Sequence, residues 1–283
     1  MYNLGLTYEL GKYGQRSDIP QAIFWYEKGV GKEDIGCMTN LGFIYLERLE
    51  DYTRAVELFS HVAELFDGKN TEALPALNNL GTCYKRGLGC TKNAEKAVEC
   101  YLKAAEHGSP EAMFNLFKFY SDDLAVGHNY EKAKEWLVKA AEAGVVEAIM
   151  KVAEGYAKGI LFEQNHTEAV RYYKLAADKG DPEAMVTMGK CYLDGLGIEQ
   201  NYEKAKQYFL KAIDVQYFPG YYHLGLFYCN EQLDYVEAAR CFSIAANAGF
   251  PPAEYELGVC YRHGHGLPVD MKKALWGLLN KSN

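Results

Sequence analysis

No run of eighteen apolar residues occurs in this chain, so nothing in it is long and apolar enough to cross a bilayer as a helix. None of its first residues reads as a secretory signal either. Met1 runs straight into YNLGLTY, which already reads as the middle of a helix. A start without an opening turn or a cap is expected of a fragment of a longer repeat protein, or of a helix that docks further repeats or a domain N-terminal to Met1. Positive charge is short as well: 30 Lys and Arg against 38 Asp and Glu leave a net charge of −8. That balance argues against a nucleic acid partner, which selects a basic face, and is otherwise the charge of an ordinary soluble protein.

Catalytic signatures are equally scarce. The turns Gly87-Leu88-Gly89 and Gly195-Leu196-Gly197 look like pieces of phosphate loops, but no strand precedes them and no Lys-Ser or Lys-Thr follows. No Ser or Cys is paired with a base by a known motif. Cys260, His263 and His265 place three metal-ligand types in one turn, yet no second cluster stands nearby, and the other histidines fall at unrelated positions. The expectation is a protein that is not an enzyme, with no metal and no cofactor.

What the chain does have is periodicity. Its organising stretch is Asp181 to Gln216. Ala184, Met188, Gly189 and Tyr192 share one helical face, and Ala205, Tyr208, Phe209 and Ala212 share another. Gly195-Leu196-Gly197 separates the two helices, because glycine adopts the left-handed conformation of a helix C-terminus. A tyrosine recurs as Tyr8, Tyr45, Tyr84, Tyr120, Tyr156, Tyr192, Tyr228 and Tyr261. The alanine of the second helix recurs as Ala22, Ala55, Ala97, Ala133, Ala169, Ala205, Ala238 and Ala274. Four residues before each alanine stands Asp or Asn: Asp18, Asp51, Asn93, Asn129, Asn165, Asn201, Asp234 and Asp270. An N-cap demands such a side chain. A pair of helices cannot cover its own apolar faces, so a period in the thirties means an α-solenoid, a right-handed superhelix with no strand.

The motif A-x-x-x-L-G-x-x-Y, then G-x-G, then N/D-x-x-K-A-x-x-W/Y-Y-x-K-A-A resembles the Sel1-like repeat, a relative of the tetratricopeptide repeat. It reads ALNNLGTCY from Ala76, AEYELGVCY from Ala253, KAVECYLKAA from Lys96 and KAKEWLVKAA from Lys132. The resemblance covers the chain as one solenoid of eight units, near residues 1–30, 36–66, 71–108, 109–144, 145–180, 181–217, 218–249 and 250–280. Repeat 2 has lost its glycine turn, repeat 7 has shortened it, and the irregular stretch 67–71 reads as a flexible join between two halves. In repeats 4 and 5, Phe117 and Ala153 replace the helix-A glycine. Phe117 is expected to spread the helices or to turn its ring outward, distorting the superhelix there. Trp25, Trp136 and Trp276, two or three after the helix-B alanine, are expected in the core.

Secreted relatives of Sel1-like type staple each repeat with a Cys pair. Here Cys83, Cys191 and Cys260 precede the helix-A tyrosine and Cys100 and Cys241 follow the helix-B alanine; in the first group only Cys83 has candidate partners within its repeat, Cys90 or Cys100. They read as small buried apolar residues with free thiols, hence a reducing, cytoplasmic location.

Two residues before the helix-A glycine stand Asn3, Asn40, Asn79, Asn115, Lys151, Thr187, His223 and Glu256. The resemblance to peptide-binding tetratricopeptide proteins implies that this position faces a concave groove. An asparagine there either bonds a peptide backbone or bonds a neighbouring helix. Phe114, Lys118, Tyr222 and Tyr255 flank it and would give selectivity, making the groove polar at one end and aromatic at the other. The expected function is a non-catalytic adaptor for a protein or peptide partner. The alternatives are a regulatory subunit of an enzyme, or a binder of small molecules or cell-wall-type ligands.

Overall fold

A computed structural model of the chain describes residues 1–12, 16–122 and 129–279. The chain divides into two compact units, Met1–Ala148 and Ile149–Asn283. Among the described residues there are sixteen α-helices and no strand.

The first unit holds α1 (Tyr2–Leu10), α2 (Ile19–Val30), α3 (Ile35–Phe43), α4 (Tyr52–Leu65), α5 (Leu74–Arg86), α6 (Ala94–Glu106), α7 (Pro110–Asp122) and α8 (Tyr130–Glu142). Helix α9 (Val146–Lys158) carries the division. The second unit continues with α10 (His166–Asp178), α11 (Pro182–Asp194), α12 (Tyr202–Asp214), α13 (Pro219–Phe227), α14 (Tyr235–Asn247), α15 (Pro251–His263) and α16 (Met271–Leu279). From α1 to α8, and again from α10 to α16, each helix packs on the next. Odd-numbered helices are the A helices of the repeats and even-numbered ones the B helices. A helices of neighbouring repeats also touch, as α1 with α3, α3 with α5, and α11 with α13.

The repeated Asp or Asn does two jobs. Its side chain accepts from the backbone N–H three residues on, as in Asn93 to Lys96 at 2.9 Å, Asn165 to Glu168 at 3.1 Å and Asp270 to Lys273 at 3.1 Å. Its own backbone N–H donates to the carbonyl of the repeat tyrosine, and this holds in all eight repeats, from Asp18 to Tyr8 through Asp270 to Tyr261. The bond ties the end of helix A to the start of helix B whatever the length of the turn between them. Where the glycine turn is missing, helix A instead widens into a π-helical turn, at Ile44–Arg48 and at Tyr228–Gln232. Glu50 and Leu233 then take the positive φ that glycine supplies elsewhere.

In repeats 2, 3, 6 and 7 a ring fills the space beside the helix-A glycine. A Cβ on Gly42 would lie 2.4 Å from the Phe59 ring, on Gly81 2.7 Å from Tyr101, on Gly189 2.4 Å from Phe209 and on Gly225 2.6 Å from Phe242. Each ring sits four residues after the helix-B alanine. In repeat 4 the sizes are exchanged: Phe117 stands for the glycine and Leu137 for the ring, and both are buried. This removes one of the two accommodations expected for Phe117. Its ring does not turn outward; it lies stacked on Phe114 with centroids 5.5 Å apart. Trp136 is buried as expected, but Trp25 is only half-buried, and its indole Nε1–H lies covered without a hydrogen-bond partner among the described residues; the Trp276 side chain lies outside what is described.

Residues 67–73 lie inside the first unit. Asp67 Oδ1 accepts from the N–H groups of Lys69 and Asn70, and a single 3₁₀ turn, Thr71–Ala73, leads into α5.

Candidate functional site

Five of the nine nominated residues lie in the first unit. Asn40 on α3 is half-buried and donates from Nδ2 to the Tyr26 hydroxyl at 3.0 Å; that hydroxyl in turn donates to the Glu9 carboxylate at 2.7 Å. Burial, then the Glu9 carboxylate, hold the Tyr26 hydroxyl far above the usual phenol range, so the network stays protonated. Asn115 on α7 reaches across to the preceding repeat, where its Nδ2 donates to Asn78 Oδ1 on α5 at 2.8 Å. Asn79, half-buried on α5, makes no side-chain hydrogen bond with another described residue. One position on three A helices therefore holds two amides joined to neighbours and one left open. Asn115 keeps its Oδ1 as a spare acceptor.

Phe114 is buried, with one face against Phe117. Lys118 lies over it, Nζ 4.2 Å from the ring centroid, and the same ammonium is 3.9 Å from the Glu147 carboxylate. The side chain of Lys118 is 40% exposed, so the ion pair is weak. Phe114, Asn115 and Lys118 open together onto a cavity of about 500 Å³, bordered by Pro110, Glu111 and the turn Ala143–Val145. Asn40 and Glu9 line a smaller depression of about 220 Å³ with Phe43, Glu47 and Arg48.

The other four residues belong to the second unit. Lys151 is exposed on α9, and Tyr255 is half-buried on α15. On α13 the His223 imidazole stacks on the Phe209 ring at 5.8 Å. Burial pushes its pKa down to about 4, aided by Lys190, so it is neutral at pH 7. Tyr222 packs edge-on against His223 at 5.0 Å and Phe250 at 5.4 Å. These two rings are part of the packing between α12, α13 and α14.

The sequence alone did not single out Asn78, Pro110, Glu111 or the turn 143–145. Asn78 matters only because α5 and α7 are neighbours, which no local pattern displays. The signal that could have found Pro110 and Glu111 is the helix start one turn before Phe114.

All eight cysteines are free thiols. Burial raises the pKa to about 12 at Cys37 and to about 11 at Cys83, Cys100, Cys241 and Cys260. Among the described residues no three His, Cys, Asp or Glu side chains are grouped to hold a metal, Cys260, His263 and His265 included. No helix among them is long and apolar enough to cross a membrane.

A family model described as Sel1 repeat matches eight segments: 1–30, 36–63, 74–109, 110–145, 146–181, 182–217, 218–250 and 251–276. The fold is shared with c5321, a protective antigen of uropathogenic Escherichia coli with an SLR fold. The TM-score is 0.84 at 23% identity, covering 99% of this chain and 60% of that one. A Sel1 repeat protein from Oxalobacter formigenes is similar at TM-score 0.66 and 27% identity, covering 87% of this chain and 97% of that one. Among curated proteins, the ERAD-associated E3 ubiquitin-protein ligase component HRD3B of Arabidopsis thaliana is 29% identical over 102 residues, or 35% of this chain. DAP3-binding cell death enhancer 1 of Mus musculus is 43% identical over 42 residues, or 15% of this chain. The matched stretches span only 15% and 8% of those two proteins.

Proposed function

The chain belongs to the Sel1 repeat family, and on that premise we propose that it is a protein-interaction scaffold, holding an extended segment of a partner protein on the helix-A side of its first unit. The observation that carries this reading is the cavity of about 500 Å³ at Phe114, Asn115 and Lys118. It brings an apolar floor, an amide with a spare acceptor and a partly exposed ammonium to one place. Asn79, in the preceding repeat, adds an open amide that both donates and accepts.

The spacing suits a peptide. Neighbouring packed helices are separated by roughly 8–10 Å, and an extended chain advances about 3.3 Å per residue, so about three residues span one repeat. Asn79 and Asn115 then meet the peptide backbone one repeat apart, each contact contributing about 0.5–1.5 kcal/mol. Lys118 and Glu111 at the rim select the side chain that enters the cavity. The names of the two curated relatives, one a ligase component and one DAP3-binding, accord with a role in protein assembly. The former also accords with a second reading, a subunit that modulates a bound enzyme.

Photo-crosslinking tests the surface. A benzophenone side chain at Lys118 should capture a partner that the same group at Glu99, exposed on α6, does not. Equal capture at both positions contradicts the reading.

A further inference from the structure

In the second unit, repeats 5 and 6 each place a ring three residues after the helix-B alanine. Tyr172 stacks on the repeat tyrosine Tyr156 with centroids 5.9 Å apart, and Tyr208 stacks on Tyr192 at 5.7 Å. Tyr192 also carries the Lys204 ammonium over its ring at 5.3 Å, and only 8% of it is exposed. Burial, then Tyr192 and Asp178, hold the Tyr208 hydroxyl above the usual phenol range. Asp178 ends α10, the B helix of the preceding repeat, so that helix brings a polar side chain toward the hydroxyl.

Repeat 8 has the same parts without the ring. Tyr261 stands for Tyr192 and keeps its lysine, Lys273, over the ring at 5.0 Å, but Gly277 stands for Tyr208. Tyr261 is left half-buried and lines a cavity of about 210 Å³ together with Leu257, Gly258 and Gly277. Ser243 and Asn247 border it from α14, Asn247 at the repeat position of Asp178. Helix α16 has no room to supply a ring from position 277. A Cβ there would lie 2.5 Å from the Glu254 carbonyl oxygen and 3.0 Å from the Gly258 Cα, because α15 and α16 meet backbone to backbone. A ring over Tyr261 must therefore come from elsewhere.

Size and charge define the occupant. A cavity of about 150 Å³ already holds a benzene ring, so this one has room for a phenol. Glu254 borders it, and Lys273 already lies 4.0 Å from the Asp270 carboxylate, so an anionic ring such as phosphotyrosine is disfavoured and a neutral one suited. We propose that this cavity docks the tyrosine side chain of a partner protein, its ring stacked on Tyr261 as Tyr208 is on Tyr192 and its hydroxyl bonded to the Asn247 amide. Such a contact is independent of the helix-A surface of the first unit.

The test uses the full chain and end-blocked glycine pentapeptides with tyrosine, phenylalanine, phosphotyrosine or leucine at the centre. An NMR titration followed on the Leu257 methyl and Tyr261 ring signals should show saturable binding of the tyrosine peptide. It should bind at least tenfold tighter than the leucine and phosphotyrosine peptides. Asn247 is exposed, so its variants keep the fold. Asn247→Ala should bring the tyrosine peptide down to the phenylalanine one, and Asn247→Asp, which copies repeat 6, should keep them apart. Tyr261→Leu at unchanged Tm should abolish the preference for a ring over leucine. Equal binding of the tyrosine and leucine peptides overturns the proposal, as does a ring preference that survives Tyr261→Leu. So does binding of free p-cresol but of no peptide, or a chain dimer that the tyrosine peptide dissolves, since either gives the cavity another occupant.

Discussion

The backbone N–H of Asn201 donates to the carbonyl of Tyr192 at 2.8 Å, while its side-chain oxygen accepts from the N–H of Lys204 at 2.9 Å. One residue thus starts helix α12 and fastens it to the end of α11. The same two bonds recur wherever the repeat has its Asp or Asn, which is why the turn tolerates a glycine loop in one repeat and a π-helical turn in another.

The two bonds are separable by mutation. Asn201→Ala removes only the side-chain cap and should cost about 1 kcal/mol in urea unfolding. Asn201→Pro also removes the N–H, orphans the Tyr192 carbonyl and forces the backbone away from its φ of −154°, together adding at least about 1–3 kcal/mol. Equal costs for the two would show that the bond to Tyr192 contributes nothing.

Legibility in the sequence follows from range. The caps, the tyrosines and the glycine stops act within a few residues, so they recur at fixed spacing and could be read directly. The pairing of Gly189 with Phe209 is also periodic, but its meaning needs the two helices side by side. The exchange at Phe117 and Leu137 shows the cost of reading one position alone: Phe117 looked like an obstacle until its partner's size was considered. The state of the asparagines was beyond reach for the same reason. Asn40, Asn79 and Asn115 occupy one repeat position, yet their bonding depends on Tyr26 and Asn78 in adjacent repeats.

That size exchange predicts a coupling. Gly189→Ala places a methyl 2.4 Å from the Phe209 ring and should destabilise by about 1–3 kcal/mol. Phe209→Leu alone leaves a cavity and should cost a comparable amount. The double variant should be more stable than the sum of the two costs by about 1 kcal/mol, because it approaches the arrangement of repeat 4. Strict additivity in a double-mutant cycle would mean that the glycine is present for another reason.

Acid should act on the second unit through His223. Its folded pKa of about 4 lies below the ordinary 6.5, so between these values the unfolded chain binds more protons than the folded one. Stability is then complete above about pH 6.5 and falls as pH drops toward 4, by up to about 1.4 kcal/mol per unit from this group. Comparing unfolding free energies of the wild type and His223→Gln between pH 7 and pH 4.5 isolates it from the carboxylates. The wild type should lose more stability on acidification than the variant. Parallel curves would place His223 in contact with water.

The measurement that bears most directly on the scaffold reading is the affinity of a captured partner for three forms of the full chain. One is the wild type; the second carries Asn79→Ala, Asn115→Ala and Lys118→Glu; the third carries Glu99→Lys and Lys103→Glu on the exposed face of α6. At matched Tm, the second form should bind at least tenfold more weakly and the third as the wild type does. Unchanged affinity in the second form, or an equal loss in the third, would contradict binding on the helix-A side.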